Sequence, residues 1–481
     1  WKDKIITKIV EKIAFLKQKM SPQTTNPVLK DPDVLSYLES LHKQFVIVTI
    51  DKASNNFAFI CKKFYVNRIL QEISDTNPTY LRVTEDKNNI IDENINMCKK
   101  FGLDVSEKQK SLPSMHWIPK MHKTPVGARF IIASKSCSTK PLTKVMSRIF
   151  SVLYKHVENF HCKSRFYSGF KKFWVVQNSF PIIEQLNKIN SKKNAKRIST
   201  FDFSTLYTTI PHDLLINVLT EIIEFVFKSS HRNKIGFSPS SIYWTSRGRD
   251  KRFFTKATLI QTVSFLIKKC YFTVGNLVLQ QVIGIPMGTD PAPFWANLFL
   301  YYFESKFVKS LVSLGSTRAY HFHAAGRFID DLCAINDREE FAQSYKDIYP
   351  PELELKVEHH GTHATFLDLD ISVKDNIFVY KLFDKRDTFP FFIVRMPHAS
   401  SNIPSTIFYG SIFSEVLRIA RCTLLFSDFL PRVEELLHRM TNQGGDKKVI
   451  IKHVRKIHSR YPEVFHKFNK HIDDIISVLN L

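Results

Sequence analysis

Acid is the scarce ingredient of this sequence. Asp and Glu total 45 against 69 Lys and Arg, which leaves a formal net charge of +24 and a pI near 9.6. A charge this one-sided repels itself in a compact chain and favours a polyanionic partner. A pI above roughly 9 is the usual electrostatic footprint of nucleic-acid binding; a merely soluble basic protein is the plainer alternative. Cysteine is also sparse. The seven are odd in number and widely scattered, and no CxxC pair occurs. That pattern excludes a disulfide framework and a zinc ribbon, and fits reduced thiols in a cytosolic or nuclear compartment. No uninterrupted apolar run approaches the ~20 residues that cross a bilayer, so no membrane partner is expected. The opening "WKDKIITKIVEKIAFLKQKM" is basic and amphipathic. Asp3 and Glu11 interrupt it and no apolar core region follows, so it does not read as a signal peptide. The chain begins with Trp, not Met, and is expected to be a fragment of a longer product. Internal repeats and low-complexity tracts are absent.

What is present is enough for a large packed core. The 481 residues are 44% hydrophobic and 24% charged. Phe is abundant, at 41 residues; most belong to the core and some are available to stack on bases. Residues 1 to about 40 read as a basic helix, a Pro-punctuated linker ("SPQTTNPVLKDPD") and a short helix. "QFVIVTIDKASNNFAFICKKFY" reads as a hairpin turning at "DKASNN". "IPKMHKTPVGARFIIAS" reads as strand, turn, strand. "RISTFDFSTLYTTIPHDLLINVLTEIIEFVF" reads as strand, tight turn and helix, with Leu214, Leu215, Val218, Leu219, Ile222, Ile223 and Val226 at helical spacing. Residues 228–256 read as a polar insertion or surface loop. Residues from about 404 onward read as helical and basic.

The chemistry begins at "GRFIDDLCAIND". Asp330 and Asp331 interrupt an apolar run at the tip of a predicted hairpin, and Asp202 ends the strand "RISTFDF". If the two strands are neighbours, three carboxylates converge, and they repel one another unless a cation neutralises them. Hard oxygen ligands suit Mg²⁺ or Mn²⁺, and two such ions can clamp both oxygens of a phosphoryl transfer. An acidic pair at a turn is by itself commonplace. Tyr207 follows Asp202 on the turn into the helix. An aromatic there can lie beneath a nucleotide sugar; the plainer reading is a cap on the helix's apolar face. In "GIPMGTDPAPFWAN", Gly284 and Gly288 allow close backbone approach to a ligand or template, and Asn297 can bond a base or sugar. Lys120, Lys123 and Arg129 lie on the basic hairpin and can face a triphosphate, or simply water.

Taken in order, these stretches resemble the reverse transcriptases, most closely those of Penelope-like retroelements, which are relatives of telomerase. "STFDFSTLYTTIPHDLL" looks like the first catalytic palm motif. "QQVIGIPMGTDPAPFWANLFL" looks like the template-and-nucleotide loop, and "RFIDDLCAIN" like the paired-aspartate motif. "WIPKMHKTPVGARFIIAS" is similar to the fingers hairpin, and "TFLDLDISV" and "SSNIPSTIFYGSIFSEVLRIARC" to the approach to the thumb. The resemblance spans roughly residues 45–425. It implies an α/β (α+β) right-hand polymerase: an N-terminal extension over 1–110, fingers and palm over 111–375, and a helical thumb with the C-terminal region over 376–481.

The same resemblance implies roles. Asp202, Asp330 and Asp331 match the catalytic metal ligands for two Mg²⁺, with Mn²⁺ as an alternative. Lys120 and Arg129 match the cations that meet the incoming triphosphate, and Tyr207 the gate that excludes a 2′-hydroxyl. Gln281, Gly288 and Asn297 match the loop that abuts nucleotide and template. Lys356 is a candidate proton donor to pyrophosphate. Lys123, Arg395, His398, Arg418 and Arg421 are candidate contacts to the nucleic-acid backbone. The implied partners are an RNA template (the element's own transcript), a DNA primer or chromosomal 3′ end, and dNTPs. The implied compartment is nuclear, or cytoplasmic during synthesis. RNA-dependent RNA polymerase, or a non-catalytic nucleic-acid-binding descendant of a polymerase, are the alternatives. The sequence departs from the family in three places. It has "PMG" where many members have "PQG", and "DKASNN" where Penelope-like proteins carry Asp-Lys-Gly. It also shows no GIY-YIG nuclease motif before Leu481, so either this sequence stops short of a nuclease domain or this member lacks one, with a nuclease partner as a further option.

Overall fold

The computed structural model describes residues 2–19, 31–74, 76–246, 252–337 and 339–477. Contacts divide the chain into two units. One comprises 1–65, 391–420 and 426–481; the other comprises 66–390 and 421–425. This grouping differs from the three consecutive stretches broken at 110 and 375 that the sequence suggests, because the N-terminal residues join the C-terminal helices. In the first unit, helices α1 (Lys2–Lys19) and α2 (Pro32–Gln44) precede a hairpin of β1 (Phe45–Ile50) and β2 (Ala53–Cys61). Helix α2 starts where the Asp31 carboxylate accepts from the Asp33 N–H at 2.9 Å, with Pro32 in the first turn. The linker before it falls largely outside the described residues. The hairpin turn is tighter than its sequence suggests: Asp51 and Lys52 alone make it, and Ser54–Asn56 belong to the strand. Asn56 then ties the N-terminal segment to the C-terminal one. Its amide donates to the Phe392 carbonyl at 3.1 Å and accepts from the Val394 N–H at 2.9 Å.

After α3 (Lys62–Glu72) the second unit opens with β3 (Tyr80–Arg82), α4 (Lys87–Lys100), the hairpin β4 (Ser114–Lys120) and β5 (Gly127–Ala133), and the long α5 (Lys140–Ser168). It continues through α6 (Phe180–Asn190), β6 (Ile198–Phe203), α7 (Leu206–Thr209) and α8 (His212–Ser230). The 228–256 region is not a bare loop. It carries β7 (Lys234–Phe237), β8 (Ile242–Thr245) and β9 (Phe253–Thr255), a small antiparallel sheet in the order β8-β7-β9, with 247–251 outside the described residues. Buried Ile235, Phe237 and Phe254 anchor it to the main core, which is why a polar-looking stretch folds. Then come α9 (Lys256–Lys268), β10 (Tyr271–Val274), β11 (Leu277–Gln281), α10 (Ala292–Ser313), β12 (Ala325–Phe328), β13 (Asp331–Ile335), α11 (Glu340–Ile348) and β14 (Leu355–Gly361). Strands β15 (His363–Phe366), β16 (Leu369–Lys374) and β17 (Ile377–Leu382) form a third antiparallel sheet. The chain returns to the first unit through α12 (Ser405–Arg421), α13 (Phe426–Asn442), α14 (Lys447–Arg460), α15 (Pro462–Phe465) and α16 (Ile472–Ile476). No helix among the described residues is long and apolar enough to cross a membrane.

Two sheets position the chemistry. One has five strands in the order β3-β11-β10-β4-β5, and the other four in the order β12-β13-β6-β14, antiparallel throughout. Strand alternation gives the four-stranded sheet two different faces. Phe201, Phe203, Leu332 and Ala334 point into a core shared with the apolar sides of α5, α8 and α10. Ile198, Cys333 and Ile335 point the other way, into a second core with β16, β17 and α6. Both faces are therefore buried along most of the strands, which explains the near-continuous apolar run of "RFIDDLCAI". Asp202 and Asp331 share the second face, opposite the helical layer, where the strands end.

Candidate active site

Strand register brings the carboxylates together. Asp331 stands directly across from Asp202, and Lys356 of β14 stands across from Asp202 on its other side. Directly opposed residues put their Cβ atoms about 4.5–5.5 Å apart, and like charges there are destabilising. Asp330 occupies the two-residue turn between Phe328 and Asp331, and its carbonyl accepts from the Phe203 N–H at 3.2 Å. The other turn residue, Ile329, has φ +54°. A β-branched side chain in the left-handed region is costly and persists only where the surroundings over-determine it.

The surroundings that do so lie beneath the turn. Arg327 is fully buried. Its guanidinium donates to both Glu304 carboxylate oxygens, to the Asn297 side-chain oxygen at 3.0 Å and to the Ile329 carbonyl at 2.8 Å. Glu304 also accepts from the Tyr349 hydroxyl at 3.0 Å. An ion pair at zero exposure is tolerable only when its remaining donors and acceptors are satisfied in this way. One buried charge thus holds the strained residue that precedes Asp330, and α10 supplies both of its anchors.

Burial and mutual repulsion shape the electrostatics. Burial, and then Asp202, push the Asp330 carboxyl above its usual range, while Arg129 and Lys385 pull it back. Asp331 is pushed up to about 6, by burial first and then by Asp330, with Lys385 opposing and Asp202 and Glu358 adding. The Tyr207 hydroxyl is raised to about 12 by burial and by Asp330. Tyr207 and Arg129 therefore both lie within electrostatic reach of the same carboxylate. Arg129 and Lys120 share one face of the β4–β5 hairpin, since Arg129 pairs with Ile118 and Lys120 with Gly127. The Lys123 side chain is exposed on the turn.

The loop between β11 and α10 behaves differently from its sequence reading. Its glycines do make close approaches, but to the chain's own strands. A Cβ on Gly284 would come within 2.1 Å of the Tyr207 carbonyl oxygen, and one on Gly288 within 2.1 Å of the Ile132 carbonyl oxygen. Both have positive φ. Gln281 is fully buried and spends its amide on the loop backbone, donating to Ile283 and Ile285 and accepting from the Met287 N–H. These residues thus fasten the loop between Tyr207 and β5, and the polar atoms of the buried Gln281 side chain are engaged in doing so. Asp290 completes the fastening through Lys140 at 2.7 Å and Thr143 at 2.6 Å. Asn297 is half-buried with its oxygen on Arg327.

The other sequence candidates are more dispersed. The Lys356 ammonium lies 3.8 Å from Glu354. In the first unit, Arg418 pairs with Glu415 at 3.3 Å, Arg395 is half-buried, and His398 accepts from the Ser400 N–H. Arg421 lies over the Phe180 ring in the second unit. Sequence reading missed Lys385, which nothing local distinguishes, and missed the Arg327–Glu304–Tyr349 network. For Arg327 a signal existed, since a lone arginine three residues before Asp330 in an apolar strand must find a buried partner. Among the described residues no three His, Cys, Asp or Glu side chains already form a metal-ligand cluster. Asp202 and Asp331 are opposed in register with Asp330 one residue away, a set of hard oxygen donors.

The sequence matches no protein-family profile and no curated protein. Structural comparison is more informative. Telomerase from Candida albicans, in complex with a TWJ fragment of telomeric RNA, superposes with a TM-score of 0.61 at 10% identity over 92% of this chain and 71% of that one. Apo telomerase from Candida tropicalis (0.48, 10% identity, 92% and 69% covered) and the BmCPV RNA-dependent RNA polymerase at its elongation state (0.40, 9%, 79% and 33%) are more remote. The likeness to the Candida albicans enzyme defines the architecture. The fold is that of a nucleic-acid polymerase. Helices α12–α16 make up a helical C-terminal region of this mixed α/β architecture.

Two outcomes follow from the site's physics. Arg327→Met leaves Glu304 buried and unpaired and lowers stability by about 3–5 kcal/mol, while Arg327→Met with Glu304→Met recovers most of the loss, as read by urea unfolding. In metal-free protein, the raised Asp331 contributes stability that is present below about pH 4 and disappears as pH rises through about 6. Melting in EDTA between pH 4 and 8 should therefore show Asp331→Asn gaining on the parent above pH 6, by a few degrees.

Proposed function

We propose that this chain is an RNA-directed DNA polymerase of the Penelope-like type, extending a primer 3′-hydroxyl with dNTPs on an RNA template. The observation that carries the reading is the in-register opposition of Asp202 and Asp331, with Asp330 at the adjoining turn and Tyr207 and Arg129 acting on that same carboxylate. Such an arrangement raises the cost of the metal-free site, which supports a role in cation binding. Asp202 and Asp330 would be the principal ligands of two Mg²⁺, with Asp331 beside them. When bound, the ions neutralise charge and stabilise the attacking and leaving oxygens of the displacement.

The protein's own contribution is positioning and electrostatics. Lys120 and Arg129, on one face of the fingers hairpin, receive the triphosphate. The half-buried Tyr207 ring beside Asp330 occupies the volume that a 2′-hydroxyl needs, which favours dNTPs over rNTPs. Lys356, across from Asp202, is placed to give a proton to departing pyrophosphate. The basic excess of the chain attracts template and primer, with the salt dependence typical of phosphate contacts. The likeness to telomerase supports an RNA template; RNA synthesis is the second reading, and the Tyr207 gate is what disfavours it.

Primer extension on an RNA template tests both. Asp330→Ala should lower dNTP incorporation by about a thousandfold or more, the scale on which removing one charge-stabilising group acts. Undiminished activity in that variant sinks the two-metal reading. Tyr207→Ala should raise rNTP use relative to dNTP use by roughly tenfold or more at little cost to dNTP incorporation. Equal use of both nucleotides by the parent protein would favour RNA synthesis instead.

A further inference from the structure

Behind the palm, on the side of the sheet away from the carboxylates, the helical layer carries a solvent-open cavity of about 440 Å³. It lies between the C-terminal half of α5, the middle of α8 and the C-terminal half of α10. Asn297 reaches Arg327 from the N-terminal half of α10, and Lys306 follows nine residues later, about 13 Å along the helix axis. The cavity thus begins at Tyr301, about one turn beyond Asn297, and extends away from the carboxylate site along α10, on the other face of the sheet.

Its lining combines two chemistries. Phe160, Phe225 and Tyr301 supply aromatic walls, with the Phe160 and Phe225 rings edge-to-face at 5.0 Å. Lys172, Lys306 and Lys309 bring cations to the same cavity. Lys306 and Lys309 lie one turn apart on one face of α10. The Lys306 ammonium lies 3.9 Å from the centre of the Tyr302 ring and 3.3 Å from Glu221, which also accepts from the Tyr302 hydroxyl at 2.6 Å. Glu221 offsets one of the three cations, so the lining keeps a positive excess. His161 shares a hydrogen bond with the Tyr301 hydroxyl, and its Nδ1 is enclosed without a protein partner. Burial, reinforced by Lys172, keeps that imidazole neutral down to about pH 4.

A cavity of this size falls in the range that takes small ligands, and its mix of apolar walls with a few convergent polar groups is the usual composition of such sites. Aromatic rings beside cations select a ligand with a flat π-system and an anionic group. We propose that the cavity binds a nucleoside monophosphate unit, its base against Phe160, Phe225 and Tyr301 and its phosphate at Lys172, Lys306 and Lys309. The unit is either a free nucleotide or one residue of a nucleic-acid strand running behind the palm. This rests on the polymerase reading only for the expectation that nucleotides are the chain's ligands.

The test is calorimetric titration of the full chain in EDTA at low salt, where metal-dependent nucleotide binding at the carboxylates is suppressed. AMP should bind, with adenosine and ribose 5-phosphate each roughly tenfold weaker or more. Lys306→Ala with Lys309→Ala, and separately the exposed Phe160→Ala, should each weaken AMP by about tenfold while leaving primer extension intact. A 5′-phosphorylated trinucleotide that binds more tightly than AMP identifies a strand as the source, and one that binds no better identifies the free nucleotide. Absence of AMP binding, unchanged AMP affinity in the double lysine variant, or ribose 5-phosphate binding as well as AMP each overturns the inference. Primer extension that is absent while AMP still binds counts against the polymerase reading and leaves this one standing.

Discussion

The buried pair of Arg327 and Glu304 is the interaction on which the site depends. Both side chains are at zero exposure, and every group that satisfies them belongs to an element that must be in place for the site to exist. Asn297 and Glu304 come from α10, Tyr349 follows α11, and the Ile329 carbonyl belongs to the turn itself. A charge pair this deep adds little to net stability compared with a well-packed apolar replacement. Its value is geometric: it makes the left-handed Ile329 obligatory, and with it the direction in which Asp330 leaves the strand. The four-stranded sheet is therefore held from behind, by a polar network inside an apolar layer.

The loop before α10 is built on the same logic, with backbone in place of charge. Gly284 and Gly288 let the loop touch Tyr207 and β5 at distances no side chain would allow, and Gln281 converts the loop's own polar groups into internal bonds. The β4–β5 hairpin, Tyr207 and α10 are thus coupled through one short segment. Residues that looked like ligand contacts act first as fasteners, which sets where a ligand-facing surface can be.

Much of the fold was legible because periodicity is local. The helical spacing of Leu214, Leu215, Val218, Leu219, Ile222, Ile223 and Val226 predicted α8, and all of them are buried except Leu214, which is half-buried. The four-stranded sheet could be anticipated from apolar runs ending in acid. Less was legible where a stretch borrows its order from elsewhere. Residues 228–256 looked like a polar loop and fold as a small sheet because three apolar side chains reach the main core. The N-terminal hairpin was readable as a hairpin, but its pairing with residues beyond 390 rests on Asn56, whose partners lie more than three hundred positions away.

The sequence by itself determined the chemistry on offer: a strong positive charge, scattered thiols, and three aspartates at the ends of apolar strands. Composition and alternation settle these because they need only neighbours along the chain. Tertiary structure alone decided the register that sets Asp202 against Asp331, the reach of Arg129 and Lys385 to the carboxylates, and the partnership of Arg327 with Glu304. A one-residue slip in β6 would have sent Asp202 to the other face of the sheet. Register, and the burial that fixes it, is a property of the packed molecule, and it turns an acidic dipeptide into a site.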